Sequence, residues 1–270
     1  MKQPIGVFDS GIGGLSVLRE IRALLPNEDL LYVADSGFAP YGHRSAAFII
    51  QRALSISEFL LERGAKAIVV ACNTATAVAI EKLRQKFVIP IVGMEPGIKP
   101  AAAISKSKVI GVLATEGTLN SDRFSTLLTR STENLEIIVQ PCPGLVEQIE
   151  AGDFTGSATR ALVVRYVLPL LARGADTLVL GCTHYPLLRT LIAQIAGPAV
   201  HIIDTGPAVA LQLQHRLVTS QLHTDNSQLG TQQFWTSSPL ERQHAVISRV
   251  LGQSIQINPL PSIDNEVDKT

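Results

Sequence analysis

The sequence predicts an α/β protein made of two pseudo-symmetric, doubly wound parallel-sheet halves with the active site in the cleft between them. Three observations carry that reading. Short Val- and Ile-rich runs alternate with helical stretches, two parts of the chain superpose on each other without a gap, and charged residues make up only 17% against 46% hydrophobic. Runs that are apolar throughout, rather than alternating, suit strands whose two faces are both covered by helices. The charged share lies below the roughly 25% of an average soluble protein, yet no run reaches the about 18 uninterrupted apolar residues that a membrane span needs. A length of 270 residues allows one large or two modest domains.

In order along the chain, strands are expected at residues 5–8, 30–34, 67–71 and 89–92. A second series follows at 109–114, 135–139, 177–180 and 200–203, with helices such as 157–172 between them. This is the pattern of a doubly wound sheet. Residues 60–74, LLERGAKAIVVACNT, align with 170–184, LLARGADTLVLGCTH, at a constant offset of 110 with seven identities in fifteen positions. At an offset of 105, Ile5-Gly6-Val7 falls on Ile110-Gly111-Val112, and the strand at Leu30 on one at Leu135. Any two helix-turn-strand units share a glycine at the helix end, which accounts for Gly64 and Gly174. That rule does not put a cysteine at the same strand end, so two related halves are the simpler explanation. Segment 97–108 reads as the crossing between halves and 204–208 as the return. A helix is expected over 209–217, and two short strands near Phe234-Trp235 and at 255–257, in a tail that packs on the first half. The expected domains are therefore 1–97 plus 208–270, carrying Cys72, and 98–207, carrying Cys182. The last dozen residues are expected to fray.

Twenty-three basic residues balance twenty-three acidic ones, which leaves no overall positive field to hold a polyanion and argues against nucleic acid as a partner. The start, Met1-Lys2-Gln3-Pro4, has no basic region followed by an apolar core, so a cytoplasmic protein is expected. Three cysteines in a chain this long do not form a disulfide framework, and a reducing compartment keeps them as thiols.

In an open parallel sheet, ligands bind beyond the carboxyl ends of the strands. The first such end reads Asp9-Ser10-Gly11-Ile12-Gly13-Gly14. Its glycines would let backbone N–H groups approach an anion, although it matches neither a Walker A loop nor GxGxxG. A plain strand-to-helix turn with Ser10 or Asp9 as N-cap fits equally well. The ends carrying Cys72-Asn73-Thr74 and Cys182-Thr183-His184 say more. A partly exposed thiol near the positive end of a helix has its pKa lowered toward neutrality. A lone cysteine is more often filler in a core, and Cys142 is left in that class. Two cysteines matched across a repeat would instead face one ligand from opposite sides, one removing a proton and the other donating one. That arrangement inverts a carbon bearing a hydrogen. His184 reads as a proton partner for Cys182 or as a solvent-facing histidine, and Asp9 as an orienting group, a counter-charge for an ammonium, or an N-cap. Asn73, Thr74, Thr183 and Ser10 offer amide and hydroxyl groups to carboxylates. Zinc or thiol-disulfide chemistry lacks the CxxC and HxxxH spacings that would support it.

The motifs FDSGIGGLSVL at 8–18, PYGHRS at 40–45, ACNTATA at 71–77 and GCTHYP at 181–186 stand in an order that resembles the bacterial glutamate racemases, of the cofactor-independent aspartate/glutamate racemase superfamily. The likeness runs over essentially the whole chain. It implies interconversion of L- and D-glutamate without pyridoxal phosphate or metal, supplying D-glutamate for peptidoglycan. It implies Cys72 and Cys182 as the two thiols, Asp9 and His184 as their helpers, and substrate contacts from Asp9, Ser10, Tyr41, Gly42, Asn73, Thr74, Thr183 and His184. Some relatives use a glutamate on the helix at 145–150, for which Glu150 is the candidate here. A homodimer is usual in the family, and some members also restrain DNA gyrase. The chain departs from the usual Gly-Thr-x-x-Thr at Ala114-Thr115-Glu116-Gly117-Thr118, which keeps Thr115 and Thr118 as carboxylate ligands. The short stretch before the first strand predicts no activation by a cell-wall precursor. The same chemistry on aspartate or a hydantoin, and a non-catalytic two-lobed amino-acid binder, are the alternatives, although a pure binder needs no thiolates.

Overall fold

The structure is a computed structural model and describes residues 3–129, 135–224 and 227–262. Its strands are β1 (Ile5–Asp9), β2 (Leu30–Ala34), β3 (Ala67–Val70), β4 (Ile91–Val92), β5 (Val109–Ala114), β6 (Glu136–Pro141), β7 (Thr177–Leu180), β8 (His201–Ile203), β9 (Gln232–Thr236) and β10 (Ile257–Pro259). The helices are α1 (Leu15–Leu24), α2 (Ala46–Glu62), α3 (Asn73–Lys86), α4 (Ile98–Ile104), α5 (Glu116–Leu119), α6 (Asp122–Thr129), α7 (Leu145–Glu150), α8 (Ser157–Ala172), α9 (Arg189–Ala196), α10 (Gly206–Thr219) and α11 (Leu240–Leu251). Two sheets result, one of six strands in the order β10-β9-β2-β1-β3-β4 and one of four in the order β6-β5-β7-β8. Every pairing in both is parallel. The central strands β1, β2 and β3 are buried along their whole length, as strands with helices on both faces must be.

The repeat seen in the sequence is physical. Gly6 of β1 pairs with Ile68, and Gly111 of β5 with Leu178. A Cβ on Gly6 would stand 2.9 Å from Leu60, and one on Gly111 would stand 2.8 Å from Leu170, so each glycine lets the helix before the cysteine strand settle onto its sheet. Both helices end alike, with Gly64 and Gly174 at φ of 81° and 88°. Ala65 and Ala175 donate back to Leu60 and Leu170, the bonding that a left-handed glycine at a helix end permits. The second offset holds less far. Ile5 pairs with Leu30, but its counterpart Ile110 pairs with Ile137, two residues beyond the constant spacing, because the connection from β5 to β6 is longer.

The crossing at 97–108 is not plain linker but contains α4, whose Ile98 and Ala101 are buried. The helix expected over 209–217 begins earlier and ends later, as α10. From the tail, β9 and β10 extend the first sheet beside β2. A buried ion pair fastens the chain just before β9, where Lys66 lies 2.6 Å from Glu28 and Thr224 hydrogen-bonds both residues. The expected fraying of the final residues falls mostly on 263–270, outside the described residues.

Asp176 ties the start of β7 to the turn before β5. Its carboxylate accepts from the Ser105 and Thr177 hydroxyls and from the backbone N–H groups of Lys106 and Ser107, at 2.6–2.9 Å. Partial burial would raise its pKa, but these donors outweigh that and hold it well below the usual carboxylate range. Asp176→Ala is expected to lower unfolding free energy by about 2–3 kcal/mol at pH 7, read from urea titrations. Since the native pKa is depressed, the wild-type advantage is full above about pH 4 and shrinks as pH falls through the lowered native value.

Candidate active site

The register of β1 on β3, with Phe8 opposite Val70, brings Asp9 and Cys72 to neighbouring positions at the carboxyl edge of the first sheet. Cys72 is the N-cap residue of α3, and its sulphur accepts from the Ala75 N–H at 3.4 Å. Ser10 Oγ lies 3.7 Å from that sulphur and 3.3 Å from Asp9 Oδ1. Asp9 Oδ2 accepts from the Gly14 N–H at 2.7 Å. Gly14 itself is the N-cap of α1, so Asp9 serves the helix start from five residues away and neither it nor Ser10 is the cap. Burial raises the Asp9 pKa, partly opposed by the positive charge of His184 and the Gly14 N–H.

On the facing edge, Cys182 follows β7. Its Sγ lies 3.8 Å from His184 Nδ1, and His184 Nε2 lies 2.6 Å from Glu150 Oε1 at the end of α7. Burial alone would lower the His184 pKa. The Cys182 sulphur and the Glu150 carboxylate on either side overcome it and raise the value well above that of free histidine. The ring thus stands between the Cys182 sulphur and the Glu150 carboxylate, placed to pass a proton to or from that sulphur. Thr183 bridges the two halves, with Oγ1 3.4 Å from Asp9 Oδ2. Ser16 of α1 donates to the Thr183 carbonyl at 3.1 Å.

Three threonine hydroxyls complete the floor. Thr74 Oγ1 lies 2.9 Å from Thr115 Oγ1 and 3.1 Å from Thr118 Oγ1, and those two lie 3.0 Å apart. Thr115 caps α5 despite the departure at Ala114. Gly42 meets this group, since a Cβ there would stand 3.0 Å from Thr115. Tyr41 points away from the threonines, its hydroxyl donating to Asp35 Oδ2. Asp35 in turn is held by Arg52, whose Nε and Nη2 reach its two oxygens at 2.9 and 2.6 Å. All three side chains are buried.

The structure therefore gathers Asp9, Ser10, Cys72, Asn73, Thr74, Cys182, Thr183 and His184 along one cleft, with Gly42 at its rim and Tyr41 anchoring that rim from behind. Two expectations need correction. The thiols are not partly exposed: Cys72 is 4% and Cys182 7% accessible, because the halves close face to face. Nor is the Cys72 pKa lowered by its helix. Burial and the charge of Asp9 push it well above the usual thiol value, more than the Ala75 N–H and Ser10 lower it, with Cys182 adding to the upward push. His184 is 1% accessible and does not face solvent. Among the described residues no group of three His, Cys, Asp or Glu side chains is placed to hold a metal ion, and no helix is long and apolar enough to cross a membrane.

Two polar groups in the cleft have no hydrogen-bond partner among the described residues, both amide atoms of Asn73 and Oε2 of Glu150. Buried polar atoms left so are costly unless a ligand satisfies them. Two cavities reach the cleft, one lined by Gly42 and Thr115 and one by Asn73 and Thr118, each about 10 Å³. Neither of these two admits an amino acid. Sequence reasoning missed the Asp35–Arg52 pair, which no motif marks, and the Ile12 N–H, which donates to Glu150 Oε1 at 2.7 Å.

The family described as Asp/Glu/Hydantoin racemase matches residues 5–213. A glutamate racemase of Methylococcus capsulatus is 59% identical over 97% of this chain and 96% of its own. Among solved structures, glutamate racemase isoform RacE1 of Bacillus anthracis is 34% identical with a TM-score of 0.87, covering 96% of this chain and 97% of its own. Glutamate racemase of Francisella tularensis, solved with D-glutamate, is 30% identical with a TM-score of 0.83, covering 97% and 98%.

Proposed function

The chain belongs to the Asp/Glu/Hydantoin racemase family of isomerases, and from that premise we propose that it interconverts L- and D-glutamate by proton transfer between two opposed thiols. The observation that carries this reading is the pair of cysteines at matched strand ends, each with its own proton partner in one dry cleft. The Francisella relative binds D-glutamate, and the Methylococcus and Bacillus relatives are glutamate racemases. The domains are 1–97 plus 208–270 and 98–207, and they part to admit substrate and close to expel water.

In the L to D direction Cys182, as thiolate beside His184, takes the α-proton. The C–H electron pair stays on the α-carbon and spreads into its carboxylate. The Cys72 thiol, kept protonated by burial and by Asp9, delivers its proton to the opposite face. Cys182 is left as thiol and Cys72 as thiolate, so the reverse reaction starts from that state or solvent resets it. Hydrogen bonds from Asn73, Thr74, Thr183 and Ser10 stabilise the carbanion-like species where water is excluded. Asn73, whose amide lacks a partner, and the threonine cluster suit the two carboxylates. Asp9 balances the ammonium. In the cell, the D-glutamate supplies peptidoglycan.

The test is circular dichroism of L-glutamate and, in parallel, L-aspartate with purified protein and no added cofactor. Loss of optical activity with glutamate supports the reading. Turnover of aspartate alone would move the substrate assignment, and binding without turnover of either would favour an amino-acid binder.

A further inference from the structure

Two glycines of the loop at 11–14, Gly11 and Gly13, face the other half. A Cβ on Gly11 would stand 1.9 Å from Glu150 Oε1, and one on Gly13 would stand 2.4 Å from His184 Nδ1 and 2.7 Å from its backbone nitrogen. The Ile12 N–H between them donates to Glu150 Oε1, the same oxygen that meets His184 Nε2. The loop is fixed to its own half, since the Tyr32 hydroxyl donates to the Gly11 carbonyl at 2.7 Å. Among the described residues Glu150 is held at Oε1, and Oε2 has no hydrogen-bond partner.

We propose that the Gly11–Gly14 loop is a closure sensor: its Ile12 N–H docks on Glu150 only when the halves meet, and so positions His184 against Cys182. The proton relay of one thiol is then assembled by closure itself. When the halves part, Glu150 loses the donor that fixes its oxygen and the relay loosens, which keeps a reactive thiolate from standing ready in an open, wet cleft. Gly11 and Ile12 are positioning residues here, and their effect runs through Glu150. The inference rests on the two-thiol reading above.

Gly11→Ala tests it. Gly11 does not have a positive φ, so alanine fits its backbone, and the clash falls on the end of a flexible side chain. The protein folds with Glu150 pushed aside. Expected is a drop in kcat of about tenfold to a hundredfold with KM little changed. In the Glu150→Ala background, where space is free and no carboxylate remains to displace, the same Gly11→Ala change costs less than about twofold. The four proteins are also melted, and Gly11→Ala is expected to lower Tm beside Glu150 but not beside Ala at 150. That second cycle reads the interlock whichever amino acid is turned over, so its outcome stands apart from failure of the racemase assignment. Equal cost of Gly11→Ala in both backgrounds, in rate and in Tm, overturns the inference, as does an unaffected kcat in Gly11→Ala.

Discussion

Cys72→Ser and Cys182→Ser are each expected to lower kcat for glutamate racemisation by about 10³-fold or more, in proteins that remain folded. The replacement changes one atom, so packing is nearly preserved at both buried positions. A serine hydroxyl does not ionise at neutral pH, and general acid and base contributions of about 10²–10⁴ are at stake at each face. The losses are not additive, because inversion needs both groups in one turnover. The variants differ in what they keep. With Cys182 intact, Cys72→Ser still exchanges the α-proton of L-glutamate with solvent, whereas Cys182→Ser exchanges that of D-glutamate. Proton NMR of each enantiomer in deuterium oxide reads this directly. Either variant keeping more than a tenth of wild-type racemisation would remove that thiol from the mechanism.

Arg52→Met is expected to destabilise the fold by about 3–5 kcal/mol, the cost of stranding a buried charge. Asp35 is 0% and Arg52 2% accessible, and the Tyr41 hydroxyl is the donor that stays with the carboxylate. For a chain of this size that is a fall of roughly 10 °C in Tm. The double change Asp35→Leu/Arg52→Met removes both charges and is expected to recover part of the loss, the remainder reflecting Tyr41 without its acceptor. Because Tyr41 carries the turn that presents Gly42 to Thr115, the single variant should also raise KM. Thermal melts and steady-state kinetics check both, and a double variant no more stable than Arg52→Met would contradict the stranded-charge account.

Most of the fold was legible because its strands are continuous apolar runs, and those at 30–34, 109–114 and 177–180 stand as read. The offset to the strand at Leu135 slipped by two residues because register follows hydrogen bonding across the sheet, which sequence spacing does not see. α4 was hidden in a stretch whose Gly, Pro, Ser and Lys content resembles linker, while two apolar residues three apart sufficed to bury one side. At the site, the cysteines were legible through the repeat. Their environment was not, since helix position argues for a lowered thiol pKa and only the closed cleft reveals the burial that overrides it at Cys72. The role of the glycine loop was likewise invisible, because Ile12 and Glu150 lie 138 residues apart in the sequence and meet only across the two halves.

The central claim, that opposed thiols handle the α-proton, is tested most directly by following L-glutamate in deuterium oxide at early times, separating the enantiomers and measuring α-deuterium in each. Two thiols on opposite faces predict that D-glutamate carries deuterium from the start while the remaining L-glutamate stays protiated. D-glutamate that forms with its original proton, transferred across by one group, would contradict the account.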